Sequence, residues 1–126
     1  MKKGLSLVVI AAVGLLIISC AAREEKAARA DNQGQPITIA AGDFYEACGN
    51  WAPGEKVTFK FTSSAPVLFD VHYHDSYAKM YTIEQALAEN REGSFVVNTD
   101  AVHCCMWKND NTKDVTLSYD LSVGKQ

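Results

Sequence analysis

From residue 36 onward, apolar and polar residues alternate along much of the chain, which is the period expected of half-buried β-strands. The alternation is clearest at residues 56–62, 67–74 and 115–123. Turn residues separate these stretches at residues 42–43, 63–66 and 109–112. The spacing predicts an all-β fold, an antiparallel β-sandwich of about seven short strands that occupies residues 36–126.

One segment departs from the β pattern. Thr82 and Gln85 have the spacing of a capping box, and Ile83 and Leu87 lie four residues apart. These features predict one short helix over residues 83–89. A short strand is expected after it, at residues 95–98.

The first part of the chain has the composition of a targeting segment. Residues 1–19 combine Lys2 and Lys3 with an apolar run that is too short to span a bilayer comfortably, which predicts a secretory signal. The run ends at Ile-Ile-Ser-Cys20, which resembles the lipobox of bacterial lipoproteins and implies a lipidated Cys20. The alternative is an uncleaved membrane anchor, and both place the sandwich outside the cytoplasmic membrane. Ala21 after the cysteine favours the outer membrane over the inner one.

Residues 20–35 are small, charged and nearly free of large apolar side chains, so they predict a lipidated flexible tether. The whole chain has 126 residues, is 48% hydrophobic and carries a formal net charge of −3. This is the composition of one globular domain, and the charge argues against a nucleic-acid partner. The expected location is the periplasmic side of the cell envelope, with attachment to the membrane through Cys20.

Four cysteines bear on the chemistry of the chain. If Cys20 is lipidated, three remain in an oxidising compartment, which leaves one unpaired. Cys104 and Cys105 are neighbours, and a bond between them would strain the backbone. Their side chains point to opposite faces of a strand, so Cys48 is expected to pair with one of them.

The choice depends on which face of the strand points inward. Cys104 shares its face with Val102 and Met106, and this uniformly apolar face is assigned to the core. The assignment predicts Cys104 as the disulfide partner and Cys105 as the free thiol. If Trp107 points inward instead, as a tryptophan usually does, then Cys105 forms the bridge.

The order of these elements has a resemblance to a known family. It runs from FYEAC around Cys48 through VTFKF and PVLFDVHYH to a cysteine-containing strand that ends in Trp107-Lys108-Asn109, and then to VTLSYDLSV. This layout resembles the GOLD-type (Golgi dynamics) β-sandwich and its bacterial relatives. The resemblance implies a bridge from the early cysteine to the strand before the last and an accessory or binding role. It supplies no catalytic residues.

The histidines suggest a metal site. His72 and His74 project from one face of a strand, about 7 Å apart at the backbone, and can close on one ion. Further soft or borderline donors follow in the HCCMW stretch, and Asp70 is available to support a histidine. The predicted ligands are His72, His74, His103, Cys105 and Met106, the last of these only if the strand ends or bulges there. Thiolate with imidazole suits copper best and zinc next.

The same residues have a simpler interpretation. A His-x-His pair on a strand is usually a solvated surface, and a thiol beside a disulfide is often an inert buried cysteine. A cupredoxin-like copper centre does not fit, since no histidine follows Cys105. The sequence therefore supports two functions: binding of a soft metal for storage, sensing or delivery, or a metal-free structural or interaction module that binds an envelope protein or a glycan.

Catalysis is not expected. Cys105 with His103 or His72 has the composition of a nucleophile and its base, but no third orienting group can be identified. The sequence also has no glycine-rich anion-binding loop and no paired-acid signature. We therefore expect that the protein is not an enzyme.

Overall fold

The computed structural model describes residues 33–126. The predicted signal peptide, Cys20 and most of the predicted tether therefore lie outside the described residues. The described part of the chain is all-β and antiparallel. Its strands are β1 (Ile37–Ile39), β2 (Phe44–Gly49), β3 (Glu55–His74), β4 (Lys79–Val96), β5 (His103–Lys108) and β6 (Val115–Lys125).

The helix predicted at residues 83–89 is wrong, since these residues belong to β4. There Ile83 pairs with Val71, and Leu87 pairs with Leu68 on the neighbouring strand. A helix of seven residues gains little from local preference alone, whereas β4 hydrogen-bonds to β3 along nearly its full length. The residues described contain no helix with the length and apolarity needed to cross a membrane.

The long strand β3 organises the sheet. Its first half, residues 55–63, lies between β6 and β4, and its second half, residues 67–74, lies between β5 and β4. β1 extends the first group of strands beyond β6, and β2 extends the second group beyond β5. We call these groups the first layer and the second layer.

The two layers meet because β3 bends sharply between its halves. Phe61 and Phe69 are eight residues apart, which would be about 26 Å along a straight strand. Their ring centroids are 4.8 Å apart, and the register of β3 against β4 shifts between Thr62 and Val67. The turn predicted at residues 63–66 is therefore a corner within one strand. The sequence predicted about seven strands, in part because the two halves of β3 were counted as separate strands.

The core fills the space between the layers. The alternation predicted for residues 56–62, 67–74 and 115–123 is confirmed, because one apolar set from each stretch points into this space. Large aromatic rings occupy its centre, where Trp107 contacts Phe61, Phe69 and Tyr119. The core side chains from the three stretches are Val57, Phe59, Phe61, Val67, Phe69, Val71, Val115, Leu117, Tyr119 and Leu121.

The end of β5 is joined to β1 by a buried asparagine. Asn109 donates from Nδ2 to the carbonyl oxygens of Ile39 at 3.0 Å and Lys113 at 2.8 Å. Its Oδ1 accepts from the backbone amide of Asn111 at 2.9 Å. These bonds shape the polar turn predicted at residues 109–112 and hold the first layer to the second.

Trp51 closes one end of the core by lying directly on a glycine. A Cβ at Gly49 would lie 2.3 Å from the indole ring of Trp51, which is closer than any van der Waals contact allows. Trp51 is buried and also contacts Phe95 and His103. The absence of a side chain at Gly49 is therefore needed for the ring to occupy this place.

We predict that Gly49→Ala destabilises the protein by about 1–3 kcal/mol, because the added methyl must displace Trp51 from a packed core. Urea denaturation followed by tryptophan fluorescence measures the change. Gly124→Ala is the matched control, since a Cβ there meets no atom within 4 Å and should change the stability by less than about 0.5 kcal/mol. Equal stability of the two variants would contradict the packing described.

Candidate functional site

Strand β5 lies between β2 and β3, and the side chains on both of its faces are buried. Residues that pair directly across antiparallel strands point to the same side of the sheet. Trp107 pairs with Phe69 and Cys105 pairs with Val71, and all four belong to the core. His103 lies two residues before Cys105 on the same strand, so it also faces the core.

The face assignment made from the sequence is the reverse of the one observed. Cys104 and Met106 point away from the core, and Val102 is 53% exposed. Trp107 decides the orientation, because its ring buries far more apolar area than the smaller side chains opposite. Cys104 and Met106 are nevertheless buried, since side chains of the neighbouring strands cover them.

The disulfide between Cys48 and Cys104 is present, as predicted, with an S–S distance of 2.05 Å. Its two cysteines pair directly on neighbouring strands β2 and β5. The bond therefore lies on the outer face of the second layer, and it links strands within that layer rather than the two layers to each other. It is the right pairing for a different reason from the one the sequence suggested.

Cys105 is the free cysteine among residues 33–126, and it is fully buried in the core. Burial, and secondly the negative charge of Asp70, raise the pKa of its thiol to about 12. A thiol with this pKa stays protonated near neutral pH, which makes Cys105 a poor nucleophile in the folded protein.

His103 is surrounded by aromatic rings in the core. Its Nδ1 lies 2.9 Å from the carbonyl oxygen of Ala101, and its ring centroid is 5.0 Å from that of Tyr73. Burial lowers the pKa of His103, opposed by its bond to Ala101, and the nearby His72 lowers it further. The imidazole is therefore neutral at physiological pH.

The outer face of the second layer carries a buried polar network centred on Asp70. The Oδ1 atom of Asp70 lies 2.6 Å from Nδ1 of His72, and both residues are almost fully buried. Its other oxygen accepts from Nε2 of Gln85 at 3.1 Å and from Nζ of Lys79 at 3.4 Å. On the far side of the imidazole, Nε2 of His72 lies 3.4 Å from Oε1 of Glu46.

Exposed aromatic and aliphatic side chains border this network. Tyr81 pairs with His72 across the sheet, is 42% exposed, and has the ammonium group of Lys79 5.1 Å from its ring centroid. Phe44 and Leu87 lie on the same outer face, on β2 and β4, and both are more than half exposed. The face thus combines flat apolar surface with fixed hydrogen-bonding groups.

The five predicted metal ligands are divided between the two sides of the sheet. His72, His74 and Met106 belong to the outer face, and the rings of the two histidines are 5.1 Å apart. His103 and Cys105 face the core, so the sheet separates them from the other three. Met106 reaches the outer face without a bulge, with its sulfur 3.9 Å from Nζ of Lys79.

Sequence reasoning missed three members of the outer face. Glu46 lies two residues before Cys48, so the period of the strand alone places both on one side. Gln85 could not be found in this way, since it was assigned to the helix at residues 83–89, and no strand was predicted at Lys79. Within residues 33–126, the donor atoms of one group, Glu46, Cys48 and Cys104, lie within 4.8 Å of one another. Its two sulfurs are joined in the disulfide.

No protein-family model matches the chain, and no curated protein has a matching sequence. A solved structure described as "CBM4 structure and function", a carbohydrate-binding module, is similar with a TM-score of 0.50 and 12% sequence identity. The match covers 72% of this chain and 82% of that one. At this identity the likeness supports a β-sandwich fold, and it does not single out the GOLD type.

We predict that Cys105 of the folded protein resists alkylation by iodoacetamide at pH 8, because it is buried and its pKa is raised to about 12. Denaturant without reductant should expose it to labelling while Cys48 and Cys104 remain joined. Peptide mapping by mass spectrometry measures both results, and a Cys105→Ala variant gives the background. Rapid labelling of Cys105 in the native protein would contradict its placement in the core.

The lowered pKa of His103 predicts a loss of stability on the acid side. Below the ordinary value of 6.5 the unfolded chain takes up a proton at this residue before the folded one does, so the free energy of unfolding falls as the pH falls from about 6.5 toward the folded pKa. Urea midpoints measured between pH 7.5 and 5 should show this fall. It should be smaller in His103→Phe and unchanged in His74→Gln, whose imidazole is exposed; an equal fall in His103→Phe would contradict the prediction.

Proposed function

We propose that this protein is a membrane-anchored binding module of the cell envelope and that it binds a glycan on the outer face of the second layer. The observation that carries the proposal is the combination, on this one face, of a buried polar network with exposed apolar side chains. A role in binding rather than catalysis agrees with both the sequence and the fold.

The apolar side chains suit one side of a sugar. A pyranose presents C–H groups on its faces, and these pack against aromatic rings and aliphatic side chains. Tyr81 and Phe44 offer partly exposed rings, and Leu87 adds aliphatic surface at the edge of the face.

The polar groups suit the hydroxyls of the same ligand. Gln85 and Lys79 are held by Asp70, and Glu46 lies against His72, so the donors and acceptors are positioned before a ligand arrives. Groups held in this way lose little conformational entropy on binding. Together they offer amide, ammonium and carboxylate groups, which match both the donor and the acceptor capacity of sugar hydroxyls.

The outer face of the first layer has a different character. It carries short polar and charged side chains that are exposed, among them Lys56, Thr58 and Lys60 on β3 and Thr116 on β6. Such a composition is typical of a solvated sheet surface. This contrast between the two outer faces favours the second layer as the binding surface.

Support from known structures is limited to the fold. The described β-sandwich is of the kind that a carbohydrate-binding module uses, and no activity is carried over from that likeness. Lipidation at Cys20, the tether of residues 20–35 and a periplasmic location, with the outer membrane favoured, complete the proposal. They rest on the sequence of the first 35 residues.

Glycan binding can be tested by affinity electrophoresis of the exported protein in gels that contain soluble polysaccharides, with peptidoglycan pull-down as a second assay. We expect retardation by at least one polysaccharide and a loss of affinity of about tenfold in Tyr81→Ala, since stacking on an aromatic ring contributes on the order of 1 kcal/mol or more.

Lys60→Ala is the matched control, because it removes an exposed side chain from the outer face of the first layer. It should bind as the wild type does. If no polysaccharide retards the protein, or if Lys60→Ala and Tyr81→Ala lose affinity equally, the second layer is not a glycan surface.

A further inference from the structure

Side chains of types that can bind metals lie next to the disulfide. One row of paired residues crosses three strands, from Cys48 on β2 through Cys104 on β5 to His72 on β3. The carboxylate of Glu46 lies within 4.8 Å of both sulfurs and 3.4 Å from Nε2 of His72. The two sulfurs and the carboxylate therefore form one close group, and His72 joins it through its contact with Glu46 and its pairing with Cys104.

The imidazole is already oriented as metal-bound histidines are. A metal-bound histidine commonly donates the N–H of its other ring nitrogen to a carboxylate, and this hydrogen bond fixes the orientation and tautomer of the ring. Nδ1 of His72 is engaged with Asp70 at 2.6 Å, which leaves Nε2 directed at Glu46 beside the disulfide. The sequence itself places Asp70 two residues before His72. It does not show that His72 lies next to Glu46 and pairs with Cys104.

The two sulfurs can act as ligands only after reduction, since a metal requires thiolates. A protein or small-molecule dithiol supplies two electrons and two protons to the Cys48–Cys104 bond and is itself oxidised to a disulfide. Two thiols result, and each releases one proton to the solvent when a divalent cation binds.

We propose that reduction of the Cys48–Cys104 disulfide creates a zinc site formed by both thiolates, Nε2 of His72 and the carboxylate of Glu46. Two sulfurs, one nitrogen and one oxygen are a four-ligand set that zinc accepts in tetrahedral geometry. The oxidised protein lacks the two strongest ligands, so metal binding depends on the redox state of the bond.

The position of the cluster gives access to it. β2 is at the edge of the sheet, Cys48 is only partly buried, and the side chain of Glu46 is 32% exposed. A reductant and an ion can therefore approach from the edge without opening the core. The core-facing His103 and Cys105 take no part in this site.

The test is a zinc titration of the exported protein against a chromophoric chelator under nitrogen. One sample is oxidised, and the other is reduced with a dithiol that is then removed by gel filtration. We expect one zinc per reduced chain with an affinity at least about 100-fold above that of the oxidised chain, since the thiolates account for most of the binding. Cobalt(II) in place of zinc should give thiolate charge-transfer absorption only in the reduced sample.

Two histidine variants separate the proposed ligand from its neighbour. His72→Gln should weaken zinc binding by about tenfold or more, because a ligand is lost, whereas His74→Gln should leave it unchanged. A Cys105→Ala variant should bind as the wild type does, which shows that the free thiol is not the source of the signal.

Several outcomes would overturn the proposal. These are equal zinc affinity of the oxidised and reduced chains, equal effects of His72→Gln and His74→Gln, or loss of binding in Cys105→Ala. A reduced chain that loses its β-sheet circular dichroism and does not regain it with zinc would also overturn it, because the site needs the register of three strands. Glycan binding is measured on the oxidised protein, so the two proposals can fail independently.

Discussion

The contact between Phe61 and Phe69 is the constraint on which the rest of the structure depends. These rings belong to one strand and meet only because β3 turns a corner at residues 63–66. β3 lies inside both layers, so its bend brings the layers face to face and carries β4 with it. Without that corner, the apolar face of each layer would have nothing to cover it.

The orientation of β5 follows from the same core. Trp107 fits among Phe61, Phe69 and Tyr119, and no smaller side chain on the other face of β5 would fill that space. Since side chains alternate strictly along a strand, burying Trp107 also buries Cys105 on the core side and turns Cys104 outward. The burial of Trp107 therefore places the free thiol of Cys105 in the core and leaves Cys104 on the outer face, where it forms the disulfide.

A buried carboxylate on an outer sheet face is costly unless it is well partnered. Asp70 is fully buried there and contacts His72, Gln85 and Lys79. The long side chains from β4 reach over the face and exclude water from the network. The same arrangement holds Gln85 and Lys79 in place and leaves Nε2 of His72 3.4 Å from Oε1 of Glu46, so both proposed binding sites use groups of the network that satisfies this buried carboxylate.

The strands of residues 56–62, 67–74 and 115–123 and their inward faces could be predicted from the sequence, because alternation of apolar residues is a local signal. The pairing of Cys48 with Cys104 was also predicted, but from a face assignment that the structure reverses. The helix at residues 83–89 could not be excluded locally, since only pairing with β3 makes that segment a strand. Locally, both faces of the HCCMW strand are largely apolar, so its orientation depended on the volume available in the core. Tertiary structure alone placed His72 beside Cys104 and Glu46, because register between strands joins residues that are distant in the chain.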